Sequence, residues 1–119
     1  MGTFRSRYIV RNLLDADSFR SVCGFRRSLI TEEESSQVSL SHLHITDFSR
    51  SHYHLRTTEM YYVLEGSGVM QLDDEVVEMK PGTCIVIEPG CRHTAKGDMK
   101  VLIIGVPPFR ADDVLYDPE

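Results

Sequence analysis

From Val38 onward the chain is broken by turn residues so often that no helix of useful length fits between them. Glu65-Gly66-Ser67-Gly68, Asp73-Asp74-Glu75, Lys80-Pro81-Gly82 and Pro89-Gly90 punctuate it, and Pro107-Pro108 follows the last apolar run. The intervening segments are β-branched, aromatic or alternating: Tyr61 to Leu64, Val69 to Leu72, Val76 to Met79, Cys84 to Ile87 and Met99 to Ile104. Ahead of them, Val38, Leu40, His42 and His44 fall on one face of a period-two pattern, and Ser39, Ser41, Leu43 and Ile45 on the other. Short strands recurring every 8–12 residues or so, separated by Gly, Pro and Asp, predict a sandwich or barrel of antiparallel strands. A helix needs ten or more residues at 3.6 periodicity, and only Leu13 to Arg20 comes near, with Asp15 or Asp17 placed to cap a short turn. The expected class is all-β.

At 119 residues the chain has room for one domain. Its expected parts are an N-terminal arm over residues 1–35, a barrel core over 36–106 and a C-terminal tail over 107–119. Glu32-Glu33-Glu34-Ser35-Ser36 reads as a surface turn between arm and body. Charge divides along the same line. Residues 1–30 hold six Arg, Arg5 among them, and two Asp, whereas residues 31–119 hold seven basic and 16 acidic residues. A net charge of −5 argues against a nucleic-acid partner. A basic arm that also carries Tyr8, Ile9 and Val10 is suited to an acidic partner surface, so a homodimer is expected, with arm segments near Tyr8–Val10 and Cys23–Leu29 packing on the second copy. No apolar run is long enough to cross a bilayer and none resembles a secretory signal. Three cysteines, Cys23, Cys84 and Cys91, without C-x-x-C spacing fit reduced thiols and a cytoplasmic location.

Chemistry concentrates in His52-Tyr53-His54-Leu55-Arg56-Thr57-Thr58-Glu59. On an extended chain residues i and i+2 share a face, so His52 and His54 can present two imidazoles to one point. The four residues that follow permit a bend returning the Glu59 carboxylate toward it. His93 follows the Pro89-Gly90 turn. Imidazole nitrogen with carboxylate oxygen suits a divalent first-row metal such as Fe, Mn, Ni or Zn. His42-Leu43-His44 repeats the H-x-H spacing but has no carboxylate at matching distance, and is read as ordinary strand, with His44 a candidate to line a cavity. Tyr61 and Val63 share the face of Glu59, so Tyr61 is a candidate to donate its hydroxyl to a substrate while Tyr62 packs outward. Arg56, in the bend, is a candidate to neutralise an anionic substrate.

The frame His52-x-His54-x4-Glu59-x6-Gly66, then Gly82 after 15 residues and Pro89-Gly90-x2-His93, resembles the paired motifs of the cupin superfamily over roughly residues 38–106. Thr46, Glu88 and Gly97 stand where the family's motifs carry Gly, Pro and Asn, all at turn or packing positions. The resemblance implies a double-stranded β-helix (jelly-roll) barrel of six to eight strands, with His52, His54, Glu59 and His93 as metal ligands. It further implies a metal-dependent enzyme acting on a small, oxygenated or anionic molecule, by dioxygenation, isomerisation or decarboxylation, with dioxygenation and isomerisation or epimerisation the leading reactions. A non-catalytic metal- or metabolite-binding module is the alternative from another class.

Overall fold

The computed structural model describes residues 7–21, 24–47 and 50–119, and these form one antiparallel sheet. Its strands are β1 (Ser18–Ser21), β2 (Gly24–Ile30), β3 (Ser39–Ile45), β4 (Thr58–Leu72), β5 (Glu75–Met79), β6 (Cys84–Ile87) and β7 (His93–Val106). They lie in the order β1-β2-β3-β7-β4-β5, and β6 pairs with β4. β5 and β6 share one edge of β4, β5 along residues 68–72 and β6 along residues 59–62.

β4 and β7 pair from Thr58↔Val106 to Leu72↔His93. In a straight ribbon Glu59 and Leu72 would be roughly 40 Å apart, at about 3.3 Å per residue. Yet the imidazole of His93, paired with Leu72, lies 3.2 Å from the carboxylate of Glu59. The ribbon therefore folds over on itself, and glycines mark the corner. The register slips between Val63 and Glu65, and Gly66 and Gly97 have φ of 81° and 142°. A Cβ on Gly66 would stand 2.3 Å from the Asp98 carbonyl oxygen, and one on Gly97 would stand 2.6 Å from the Cα of Gly68. The sequence reading treats Glu65–Gly68 as a turn between two strands. The structure instead runs one bent strand through it, because glycine here admits two backbones at close range rather than reversing the chain. The bent ribbon makes the jelly-roll barrel that the cupin resemblance implies, within the antiparallel sandwich or barrel that the strand rhythm predicts.

Alternation divides the barrel into inside and outside. Ser39, Ser41, Leu43 and Ile45 of β3 are buried, and Ile45, Val63, Met70, Met79, Met99 and Val101 are at most 1% exposed. The opposite face is also apolar in part. Leu40, Ile104, Met60 and Val86 line up across β3, β7, β4 and β6, and Leu102, Tyr62 and Cys84 continue the next row beside His42. Met60, Tyr62 and Val86 of this outer ladder are exposed.

The arm differs from expectation. Among the described residues of the arm only Leu13–Asp15 is helical, a single 3-10 turn capped by the Asn12 side chain, which accepts from the Leu14 N–H at 2.9 Å, rather than by Asp15 or Asp17. From Ser18 the backbone takes its hydrogen bonds from β2, which ends any helix. β1 and β2 extend this chain's own sheet through β3, and Tyr8–Val10 form no strand. Arg5 and Cys23 lie outside the described residues. Among the described residues no helix is long and apolar enough to cross a membrane.

Candidate metal centre

His52 and His54 lie on an extended segment just ahead of β4, held by two isolated bridges rather than by a strand. His52 pairs with His93 and Tyr53 with Leu115, each through two backbone hydrogen bonds of 2.9–3.1 Å. Alternation then turns both histidines inward and Tyr53 outward, where the Arg92 guanidinium lies 3.6 Å from its ring centroid. The next residues bend around one buried carboxylate. Asp113 accepts from the backbone N–H groups of Leu55, Arg56 and Thr57 at 3.0, 3.2 and 3.3 Å, and this bend delivers Glu59 to the inner face of β4.

Each imidazole is oriented by a backbone carbonyl. Nδ1 of His52 lies 3.1 Å from the Arg50 carbonyl oxygen, that of His54 2.9 Å from Asp113, and that of His93 3.0 Å from Cys91. A carbonyl only accepts, so Nδ1 carries the proton and Nε2 of each neutral ring offers a lone pair. One ligand atom from each of the three histidines falls within 4.8 Å of the other two. Glu59 Oε1 stands 3.0 Å from His54 Nε2 and 3.2 Å from His93 Nε2. His54, Glu59 and His93 are 3%, 2% and 1% exposed, and their Nε2, Oε1 and Nε2 atoms have no hydrogen-bond partner.

The buried groups also shift one another's charge. Burial, with His93 beside it, pushes His52 down to about 4. Burial opposes the charge of Glu59, but His54 and His93 outweigh it and hold the carboxyl down at about 2. Burial likewise opposes protonation of His54, and the Glu59 carboxylate reverses the direction and raises it. Three buried polar atoms without partners cost free energy, roughly 1–3 kcal/mol each. A cation at their common point would satisfy all three, and three imidazole nitrogens with one carboxylate oxygen suit a divalent first-row metal. The residues present therefore fit such an ion.

A cavity of about 260 Å³ opens beside this cluster. Tyr61, 6% exposed and on the Glu59 face, lines it. Arg56 does not; it is exposed, and its guanidinium lies 3.5 Å from the Pro108 carbonyl oxygen. His42 and His44 point to the other side of the sheet, where with Arg27 and Lys100 they line a separate outer groove of about 400 Å³. Sequence reasoning missed four residues. Arg26 reaches the cavity because β2 pairs it with inward-facing Leu43; Phe109 and Tyr116 come from the tail, and Asp113 ties the bend. Only Arg26 left a signal, in the period-two pattern of Gly24, Arg26 and Ser28, and that is faint without the β2–β3 register.

Comparison with known proteins accords with this geometry. A 66-residue stretch is 38% identical to an uncharacterized protein of Methanocaldococcus jannaschii, covering 52% of this chain and 53% of that one, so the match spans about half of the curated relative's length. A solved structure of a protein from Planctomyces limnophilus superposes with a TM-score of 0.88 at 24% identity, over 93% of this chain and 98% of that one. Pac13 of Streptomyces, described as a unique nucleoside dehydratase, superposes with a TM-score of 0.79 at 16% identity, over 92% and 94%. At these identities the two structures show the fold. The model of the Cupin domain family matches residues 39–105, from the start of β3 to the penultimate residue of β7, and the chain belongs to that family.

Proposed function

We propose that this chain is a metal-dependent enzyme of the cupin type, acting on a small molecule bound in the cavity beside His52, His54, Glu59 and His93. One observation carries the reading: His54 Nε2, Glu59 Oε1 and His93 Nε2 are buried without hydrogen-bond partners around one point that His52 also faces. These four side chains would hold a divalent ion, Fe, Mn, Ni or Zn. Bound there, the ion supplies a Lewis acid able to polarise a substrate oxygen, or in the case of iron to activate dioxygen. The protein's share is different. Backbone carbonyls fix each imidazole's tautomer, the barrel wall excludes bulk water, and Tyr61 stands on the cavity wall to pass a proton to or from the substrate. A phenol beside the cluster favours isomerisation or epimerisation, which need such a proton carrier; dioxygenation is the second reading and rests on the three-His, one-Glu donor set. Solved structures of this fold include one described as a dehydratase, and that supports catalysis on this barrel.

The test is purification with Fe(II), Mn(II), Ni(II) or Zn(II), followed by metal analysis and a screen of catechols, β-diketones, thiols and sugar phosphates. Product formation that requires the metal and vanishes in His54→Ala supports the reading. Thermal shifts with ligands but no product would assign a binding module instead, and a wild-type protein that takes up no metal overturns the centre itself.

We further propose that two copies associate, the arm of each packing on the other's outer ladder around Met60, Tyr62 and Val86. Tyr8, Val10 and Leu14 are 74%, 77% and 84% exposed in the single chain, and the arm's positive charge complements the acidic body. The free thiols of Cys84 and Cys91 support a reducing location such as the cytoplasm.

A further inference from the structure

We infer that Arg26 is a carboxylate anchor: the cavity takes a small monoanionic carboxylate with an apolar body, its charged head on Arg26 and its other end toward the His–Glu cluster. The inference rests on reading this cavity as the substrate site, and adds the class of molecule that enters it.

The argument starts from pairing. Arg11, Arg20, Arg50, Arg92 and Arg110 each contact a carboxylate, that of Glu34, Asp47, Glu119, Asp117 and Asp112 respectively. Arg26 has no carboxylate contact among the described residues, although the chain has 18 acidic residues against 13 basic ones. Its guanidinium carries five N–H donors and makes one contact of 3.4 Å, to Ser41 Oγ, while lying 4.9 Å from the Phe109 ring centroid. Among the described residues Arg7, Arg27 and Arg56 also lack an acid, but Arg7 is exposed on the arm, Arg27 and Arg56 each turn an N–H to a backbone carbonyl, and none of the three lines this cavity. Arg26 is half-buried in the cavity wall, where an unpaired charge is costly. The anion is therefore left for the ligand to bring. The Glu59 carboxylate cannot serve, because the histidines enclose it.

The class follows from what surrounds the guanidinium. Its planar fork matches a carboxylate or a phosphate equally, but among the described residues no second Arg or Lys lines the cavity to offset the second charge of a phosphate dianion, so a monoanion fits better. Leu43, Phe109 and Val114 give the cavity apolar walls, and 260 Å³ is at the small end for a ligand site. A ring or short alkyl group with one carboxylate matches both.

The experiment uses the full chain freed of metal by a chelator, so that no probe can bind through an ion. Calorimetric titration compares benzoate and butyrate with benzamide and with inorganic phosphate, in the wild type, Arg26→Gln and Arg26→Lys. Expected are benzoate binding at least tenfold tighter than benzamide, a loss of tenfold or more in Arg26→Gln, and an intermediate value in Arg26→Lys. Metal uptake by Arg26→Gln is expected to equal that of the wild type. Benzoate bound no better than benzamide, equally by Arg26→Gln, or more weakly than phosphate overturns the inference. The benzoate and benzamide comparison on wild-type protein decides it even if Arg26→Gln fails to fold. A wild type that binds benzoate through Arg26 but takes no metal leaves this inference standing and sinks the proposed enzyme; one that takes metal and ignores both carboxylates does the reverse.

Discussion

Replacing Asp113 with alanine is expected to weaken both fold and site, although Asp113 gives no donor atom to the cluster. Its carboxylate satisfies three consecutive backbone N–H groups, at Leu55, Arg56 and Thr57. Thr57 is 1% exposed, so its N–H would be left buried without a partner, at about 1–3 kcal/mol. Leu55 and Arg56 are exposed, and water can replace their partner, so each loses about 0.5–1.5 kcal/mol. Together the change comes to about 2–6 kcal/mol, a large fraction of the 5–15 kcal/mol typical of a domain. The bend also carries His54, whose Nδ1 leans on the Asp113 carbonyl, and loss of such outer support typically costs about 10–100-fold in metal affinity. Urea denaturation of metal-free protein reads the first effect, and competition with a chromophoric chelator reads the second. Asp113→Asn is expected to fall close to alanine, because both carboxylate oxygens accept N–H groups and an amide turns one into a donor. Asp112→Ala is the control: its carboxylate meets Arg110 at 2.6 Å on the surface, and its loss should stay within about 0.5 kcal/mol. If Asp113→Ala matches Asp112→Ala in both assays, the reasoning is wrong.

Four further outcomes are expected. His54→Ala should lose most of its metal by native mass spectrometry, whereas His42→Ala and His44→Ala, on the outer face, should retain it. Chelation of the metal-loaded protein should lower its Tm by several degrees, with no change in His54→Ala, as calorimetry would show. Gly66→Ala should cost at least about 2 kcal/mol in urea denaturation, since positive φ and the Asp98 carbonyl both oppose a Cβ; Gly90→Ala, also at positive φ but with nothing within 4 Å, should cost clearly less. Light scattering should find a dimer for the full chain and a monomer for Tyr62→Glu; removal of residues 1–16, which leaves β1 and β2 in place, tests the arm separately, and an unchanged dimer in both variants would refute the proposed interface.

The barrel was legible because its punctuation is dense and its inward positions alternate. Glu59, Tyr61 and Val63 share the buried face as the period-two pattern predicts, and Tyr62 faces out. The ligand candidates were legible for the same reason, since i and i+2 on an extended segment meet at one point whether or not that segment is a strand. The bend through Gly66 was not, because a glycine that reverses a chain and one that lets two backbones cross look alike in a single sequence. Nor were Asp113 and Arg26. Asp113 acts on residues 56–58 positions earlier, and Arg26 enters the cavity only through the β2–β3 register. Arg56 was the natural candidate by proximity to the ligands, yet in a bend whose backbone N–H groups point to Asp113 its side chain turns to Pro108.

The folded-over ribbon of β4 and β7 also sets a timetable for biosynthesis. His52, His54 and Glu59 leave the ribosome together, well before His93, and the carbonyl that orients His54 belongs to Asp113, later still. Zipping β4 to β7 is not sufficient either, because His93 starts beside Leu72 and reaches Glu59 only when the ribbon turns its corner. A nascent chain therefore offers incoming ions two imidazoles and a carboxylate on a loose segment, a weak and unselective trap. The four donors come together only once β7 has turned the corner and the Asp113 segment has docked. An ion that enters such a site would then be chosen from what is available to the closed barrel, not from what the growing chain meets first.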